Sequence, residues 1–189
     1  MNILPDYLSD CLDLLSIGLN PSPTAVRTGV YFAHPRNRFW PAARAAGLVP
    51  RAIEATPEGM HTLLIEERIG FTDVVKRSTP SANDLRAADF RAGAPLLLDK
   101  IIRCKPLIAW FHGRQAYRNF LRYTTPGRQV EDWGLQTYRI GSTIVFVSPN
   151  PSPANAAFTL GTLIEYYREL HHVLRSRVRR RQNSQRPRQ

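Results

Sequence analysis

Cysteine is nearly absent from the 189-residue chain, which holds only Cys11 and Cys104. Each stands alone beside apolar residues, so both are expected as buried thiols. Two sulfurs supply neither a disulfide framework nor the four thiolates of an iron–sulfur cluster. No apolar run approaches the roughly 18 residues that a bilayer-crossing helix needs. The opening segment, residues 1–7, lacks the order of charged, apolar and small residues that marks a secretory signal. The chain is therefore expected to be soluble and cytoplasmic, nucleoid-associated if bacterial, with no membrane partner. No G-x-G-x-x-G follows the first strand signal and no phosphate-binding P-loop occurs, which disfavours a dinucleotide or nucleotide enzyme. Chemistry is left to side chains, backbone and water, so no cofactor and no metal is expected.

Acid is also missing from one end. After Glu169 there is none, while Arg175, Arg177, Arg179, Arg180, Arg181, Arg186 and Arg188 add seven positive charges. The net charge is +11, so the rest carries 11 − 7 = +4. That asymmetry divides the chain into a single folded domain over residues 1–174 and a basic, disordered tail over 175–189. Such a tail attracts polyanions through counterion release and supplies affinity without sequence choice. The plainer reading is a solubilising or localising tail.

Against these absences stands a repeated word. Asn20 to Pro23 reads Asn-Pro-Ser-Pro directly after the apolar run Leu14 to Leu19, and Asn150 to Pro153 repeats it after Ile144 to Pro149. Proline has no backbone donor and ends a strand ladder. If the two strands are neighbours in a parallel sheet, both asparagines emerge at the carboxyl edge, where open α/β sheets collect ligands. Strand signals cover Leu12 to Ile17, Leu107 to Phe111, Leu135 to Ile140 and Thr143 to Val147, with Gly141 and Ser142 as a hairpin turn. Helical spacing covers Asn37 to Gly47, Glu58 to Ile69, Ala94 to Cys104, Arg114 to Tyr123 and Leu160 to Arg177. The alternation predicts an α/β fold, a three-layer α/β/α sandwich around a mostly parallel sheet.

Between Thr28 and Trp40 lies a dense aromatic and polar segment with Gly29, Tyr31, Phe32, His34, Pro35, Asn37, Arg38 and Phe39. Phe39 and Trp40 are expected in the core. Phe32, in the loop, is placed to offer its face to a flat ligand, and such base stacking is worth roughly 1–3 kcal/mol. His34 before proline suits a structural histidine. Asp73 follows the second helix on an extended segment that can return it to the same edge, as a proton acceptor or as an exposed turn aspartate.

The segments Gly18 to Ser22, Thr28 to Trp40 and Ser148 to Pro153 together resemble the mismatch-specific uracil and thymine DNA glycosylases of the uracil-DNA glycosylase superfamily, over about Leu14 to Leu174. The resemblance implies a uracil-DNA glycosylase-like fold, a base flipped from DNA, and cofactor-free hydrolysis of the bond between base and deoxyribose. It places Asn20 at the residue that holds the attacking water and Phe32 at the aromatic that stacks on the base. Backbone groups at Leu19 and Phe32 would read the base edge. Asn150 and Ser152 would lie against the flipped nucleotide and its phosphate. Asp73 beside Asn20 would accept the water proton.

The chain also departs from that family. Ser22 stands where relatives carry glycine, and Pro153, Ala154, Asn155 and Ala156 replace a wedge that fills the space left by the flipped base. Weaker reading of the opposite guanine and tolerance of single strands are expected. The activity implied is a monofunctional glycosylase acting on uracil, with G:U mismatches favoured and thymine or other deaminated bases as further substrates, in a monomer. Lys76, Lys100 and Lys105 are the only lysines, so a Schiff-base lyase step has Lys76 as its one nearby nucleophile. A non-catalytic nucleic-acid binder of the same fold, and hydrolysis of free nucleosides, are the competing readings.

Overall fold

A computed structural model describes residues 3–185. The first strand, β1 (Leu14–Gly18), is buried at every position, the pattern of a strand covered on both faces. It is followed by three helices, α1 (Pro23–Thr28), α2 (Phe39–Ala45) and α3 (Pro57–Ile65), and by β2 (Ile69–Asp73). Then come α4 (Ala87–Cys104), β3 (Ile108–His112), α5 (Arg114–Thr124), the hairpin of β4 (Gly134–Ile140) and β5 (Thr143–Ser148), and α6 (Leu160–Gln185). The sheet order is β2-β1-β3-β5-β4. All pairings are parallel except β4 on β5. Because the crossover from β1 to β2 runs opposite to those from β2 to β3 and β3 to β5, right-handed connections put their helices on opposite faces. Accordingly α4 packs on α5, and α2 packs on α6. The expected three layers are present, and the direction of winding reverses between β1 and β3, the switch point where such sheets bind ligands.

Several boundaries differ from the sequence reading for local reasons. The strands that carry the repeated word are parallel but not neighbours, because β3 lies between them. The helix expected over Glu58 to Ile69 stops at Ile65 and Ile69 opens β2, after Arg68 takes a left-handed φ of 55°. Pro23 does more than follow the end of a strand, because it starts a helix: Ser22 Oγ caps the Ala25 amide at 3.2 Å, Pro23 occupies the first turn, and Gly29 closes it at φ 71°. That is the arrangement a short helix uses to satisfy its ends. Helix α4 begins at Ala87, nearly two turns before Ala94, because Asp89 accepts the Arg86 amide at 2.7 Å.

Two corrections concern the ends of the chain. Cys11 is exposed, at φ 55°, while Cys104 is buried as expected. The tail expected to lose order after Leu174 continues α6 to Gln185. Leu170 and Leu174 are buried on its inner side and Val178 packs against the same core, so the apolar stripe continues past the expected boundary. Arg181 pairs with Asp13. Of the tail, residues 186–189 lie outside the described residues.

Candidate active site

The loop after β1 is fixed by continued pairing with the chain leaving β2. Val74 N donates to Gly18 O at 2.9 Å, Val75 N to Leu19 O at 3.0 Å and Thr79 N to Pro21 O at 3.3 Å. This seam brings Thr79 and Arg77 against Asn20. Asn20 Nδ2 donates to Thr79 Oγ1 at 2.8 Å and to the Arg77 carbonyl at 3.1 Å. The Thr79 hydroxyl spends its only proton on Ser81 O at 2.7 Å, so towards Asn20 it can only accept, and the Arg77 carbonyl can only accept as well. The amide orientation is therefore determined by its partners. Oδ1 takes no hydrogen bond among the described residues and is left as the acceptor beside the pocket. Arg77 is itself tied to the N-terminal turn of α4 by paired bonds to the Asp89 carboxylate at 2.9 and 2.7 Å.

Asn20 lines a cavity of about 160 Å³ with Gly18, Leu19, Ser22, Tyr31, Phe32, Asp73, Thr79, Asn150 and Ser152. Phe32 holds a left-handed φ of 58°, a strained setting for a residue with a Cβ, of about 1–2 kcal/mol. Its ring lies flat on Phe39, with centroids 4.2 Å apart and planes 18° apart, and stands 4.8 Å from the His112 ring. Phe39 and Trp40 are in the core as expected. His34 is structural: its Nδ1 accepts the Arg36 amide at 3.1 Å.

Asp73, at the end of β2, is 3% exposed, not a turn residue on the surface. It is paired in register with Gly18, and a Cβ on Gly18 would lie 2.3 Å from Asp73 Oδ1, so the carboxylate occupies the space a side chain would need. Oδ2 is buried without a hydrogen bond, with Lys76 Nζ 3.9 Å away. Burial pushes the Asp73 carboxyl up to about 7, against the pull of Lys76 and Lys100. Behind it sits a charge cluster that the sequence reading missed. The N-terminal segment bridges to β2 at Tyr7 and Phe71, which delivers Asp6 to Lys76 at 2.8 Å, Lys100 at 2.7 Å and Thr72 at 2.7 Å. Burial opposes the Asp6 charge, but the two lysines and Thr72 hold its carboxyl below the usual range. Lys76 Nζ also reaches the Tyr31 hydroxyl at 3.2 Å. Burial, with Asp73 and Asp6 nearby, raises that phenol well above its ordinary value, so it stays protonated.

The second Asn-Pro-Ser-Pro loop is pinned from outside. Arg38 donates to Pro151 O at 3.3 Å, Ser152 O at 2.7 Å and Asn155 O at 2.8 Å, and also to Phe158 O. The arginine of the first motif thus holds the second loop in shape, a role invisible in either motif alone. Asn150 Oδ1 accepts the Ser152 amide at 2.9 Å, and Asn155 Nδ2 donates to Asn150 O at 2.9 Å. Asn150 and Ser152 face the same cavity as Asn20, while Pro153 and Ala154 are exposed at the tip.

His112 is the other residue missed. It ends β3 at the switch point, in register with Ser148, and its Nε2 lies 2.8 Å from Ser16 Oγ. Burial draws the imidazole down to about 3, so it is neutral, and Nδ1 has no partner. The signal was available: the third strand of a parallel sheet ends at the same edge as the other two. No group of three or more His, Cys, Asp or Glu among the described residues could hold a metal ion.

Two comparisons with known proteins bear on this arrangement. The solution NMR structure of a Methanosarcina acetivorans protein, provisionally named a uracil DNA glycosylase, superposes with a TM-score of 0.56 at 23% identity. The match covers 90% of this chain and 98% of that one, and it shows a shared fold. The family model described as the uracil DNA glycosylase superfamily matches residues 5–171, which span every side chain of the cavity except Leu4. The chain thus belongs to the uracil DNA glycosylase superfamily, whose members act on DNA as glycosylases.

Proposed function

We propose that this chain is a monofunctional DNA glycosylase that removes uracil from DNA by hydrolysis and leaves an abasic site, with chemistry like that of the mismatch-specific enzymes. The observation that carries this reading is the fixed Asn20 amide, which turns Oδ1 towards a cavity walled by Phe32 and backed by Asp73. An amide is too weak a base to deprotonate water. It holds water in line for attack, and positioning suffices where the departing uracil anion leaves before water is fully bonded. Asp73, as carboxylate, accepts the water proton and offsets positive charge on the sugar.

Phe32 stacks on the extruded base, and backbone groups at Leu19 and Phe32 take its hydrogen-bonding edge. A cavity of roughly 150 Å³ admits a benzene ring, so about 160 Å³ suits a single six-membered heterocycle. This favours uracil over the two-ring bases. Asn150, Ser152 and Ser22 meet the nucleotide and its phosphate, while Pro153, Ala154 and Asn155 lie against the duplex. Ala154 is too small to fill the space the base vacates, so discrimination of the opposite guanine is weak and single strands are accepted. Lys76 is engaged by Asp6 and Tyr31, which supports simple hydrolysis over a Schiff-base step.

The test is incubation, without added metal, of labelled DNA carrying uracil opposite guanine, opposite adenine or in a single strand, followed by alkali. Alkali-dependent scission in all three, with a modest lead for the mismatch, is expected. Tight binding with full-length DNA would support a non-catalytic binder instead. Activity confined to free nucleosides would point to a nucleoside hydrolase.

A further inference from the structure

The basic end of the chain lies at the opposite pole of the molecule from the cavity. Helix α6 starts beyond the carboxyl edge of the sheet and ends past its amino edge, where Arg181 meets Asp13, the residue before β1. From Asp13 to Asn20 the chain runs along β1, a separation of roughly 20 Å at about 3.3 Å per residue. The cavity opens at one end of the strands and the arginines stand at the other.

The outer face of α6 there is densely positive. His172, Arg175, Ser176, Arg179, Arg180 and Asn183 line one shallow groove. Arg175, Arg179 and Arg180 are exposed, and among the described residues none of them makes an ion pair. Burial lowers the pKa of Arg177, and so do the like charges of Arg139 and Arg180. Arg139 comes from β4, so two elements contribute to one concentration of guanidinium groups. The nearby acids, Asp13 and Glu67, line an adjoining hollow that Arg175 and Arg179 also border, yet among the described residues neither acid forms an ion pair with those two arginines. Like charges held this close on a helix repel each other, which an external polyanion would relieve. A membrane surface is a poorer match. A membrane-binding helix offers its apolar face to lipid, whereas Leu170, Leu174 and Val178 are turned inward on this one.

We propose that this face of α6 is a second nucleic-acid surface, holding the sugar-phosphate backbone of a DNA segment other than the one presented to the cavity. A duplex lying across the carboxyl edge offers nothing to the amino pole, so contact at both ends requires two segments. The protein can then hold one stretch of DNA while sampling another, with the sequence-independent, salt-sensitive affinity that backbone contacts give. The proposal needs only that the protein binds DNA, and it stands apart from which base is removed.

The test uses the full chain and short undamaged duplexes, comparing wild type with the triple variant R175Q/R179Q/R180Q, whose melting temperature is checked against wild type. Fluorescence titration should give two duplexes per wild-type molecule and one per variant molecule. The duplex that both proteins bind should show the same slope of log K against log salt, while the second binding event of the wild type should carry a slope of about 3 in magnitude, close to 0.9 for each of the three arginines. A single duplex per wild-type molecule, or a second duplex still bound by the variant, would overturn the proposal. So would phosphatidylserine vesicles that bind the wild type more tightly than DNA does and lose that binding in the variant.

Discussion

At the scale of single residues the central feature is the way one amide is aimed. Asn20 is oriented by two groups that can only accept, Thr79 Oγ1 and the Arg77 carbonyl. Replacing Thr79 by valine keeps the shape but removes one acceptor. The amide then gains freedom, and the single-turnover rate should fall about tenfold or more, within the roughly 10²-fold that misplaced groups cost, with serine restoring it. Phe32→Ala should act on binding of the extruded base, weakening it by about 1–3 kcal/mol, seen as a raised KM. Asp73 makes a pH signature with a definite sign. Its folded pKa of about 7 lies above the ordinary 3.8, so the folded state holds a proton that the unfolded chain has released. Stability should therefore fall as pH rises from about 4 to about 7, and the excision rate should rise through about 7 as the carboxylate forms. Asp73→Asn should flatten both curves, read by melting temperature and single-turnover rate. An unchanged rate profile in that variant would remove Asp73 from the mechanism. Gly18→Ala probes the same seat: its Cβ collides with Asp73 Oδ1, and displacement of a buried carboxylate should cost about 1–3 kcal/mol of stability.

At the scale of elements, β3 and α6 matter most. His112 is buried neutral, with its pKa drawn from 6.5 to about 3, so stability present above about 6.5 is lost as pH falls towards 3. His112→Leu should flatten that acid limb of a melting-temperature profile. Truncation after Leu174 should lower stability by about 1–3 kcal/mol, since it removes the packing of Val178 and the pairing of Arg181 with Asp13. A fully disordered tail would leave the melting temperature unchanged. The elements also show what the sequence could reveal. Alternating apolar runs and helical spacing predicted the layered sheet, and the repeated Asn-Pro-Ser-Pro word located the loops that meet at the cavity. The strand at Leu107 to Phe111 was legible but its place between β1 and β5 was not, because strand order depends on long-range pairing that periodicity does not encode. Nor was the cluster of Asp6, Lys76 and Lys100, whose members lie far apart in the chain and meet only through the bridge of Tyr7 to Phe71. The length of α6 was misjudged because arginine density was read as disorder, although Val178 extends the apolar stripe.

At the scale of the whole molecule, the two ends of the sheet have different tasks. The carboxyl edge gathers Asn20, Phe32, Asp73 and the Asn150 loop around a cavity sized for one ring. The amino pole gathers arginines around a shallow groove with no catalytic group. Superfamily membership ties the first to DNA glycosylase chemistry, and the second supplies the polyanion affinity that such an enzyme uses to search. Everything rests on Asn20 holding water against an extruded uracil. The most direct test is the single-turnover rate of alkali-sensitive scission at a uracil–guanine pair, wild type against Asn20→Ala, with enzyme in saturating excess and binding measured in parallel. A fall of about 10²-fold or more is expected, with DNA affinity retained. Equal rates in the two proteins would contradict it.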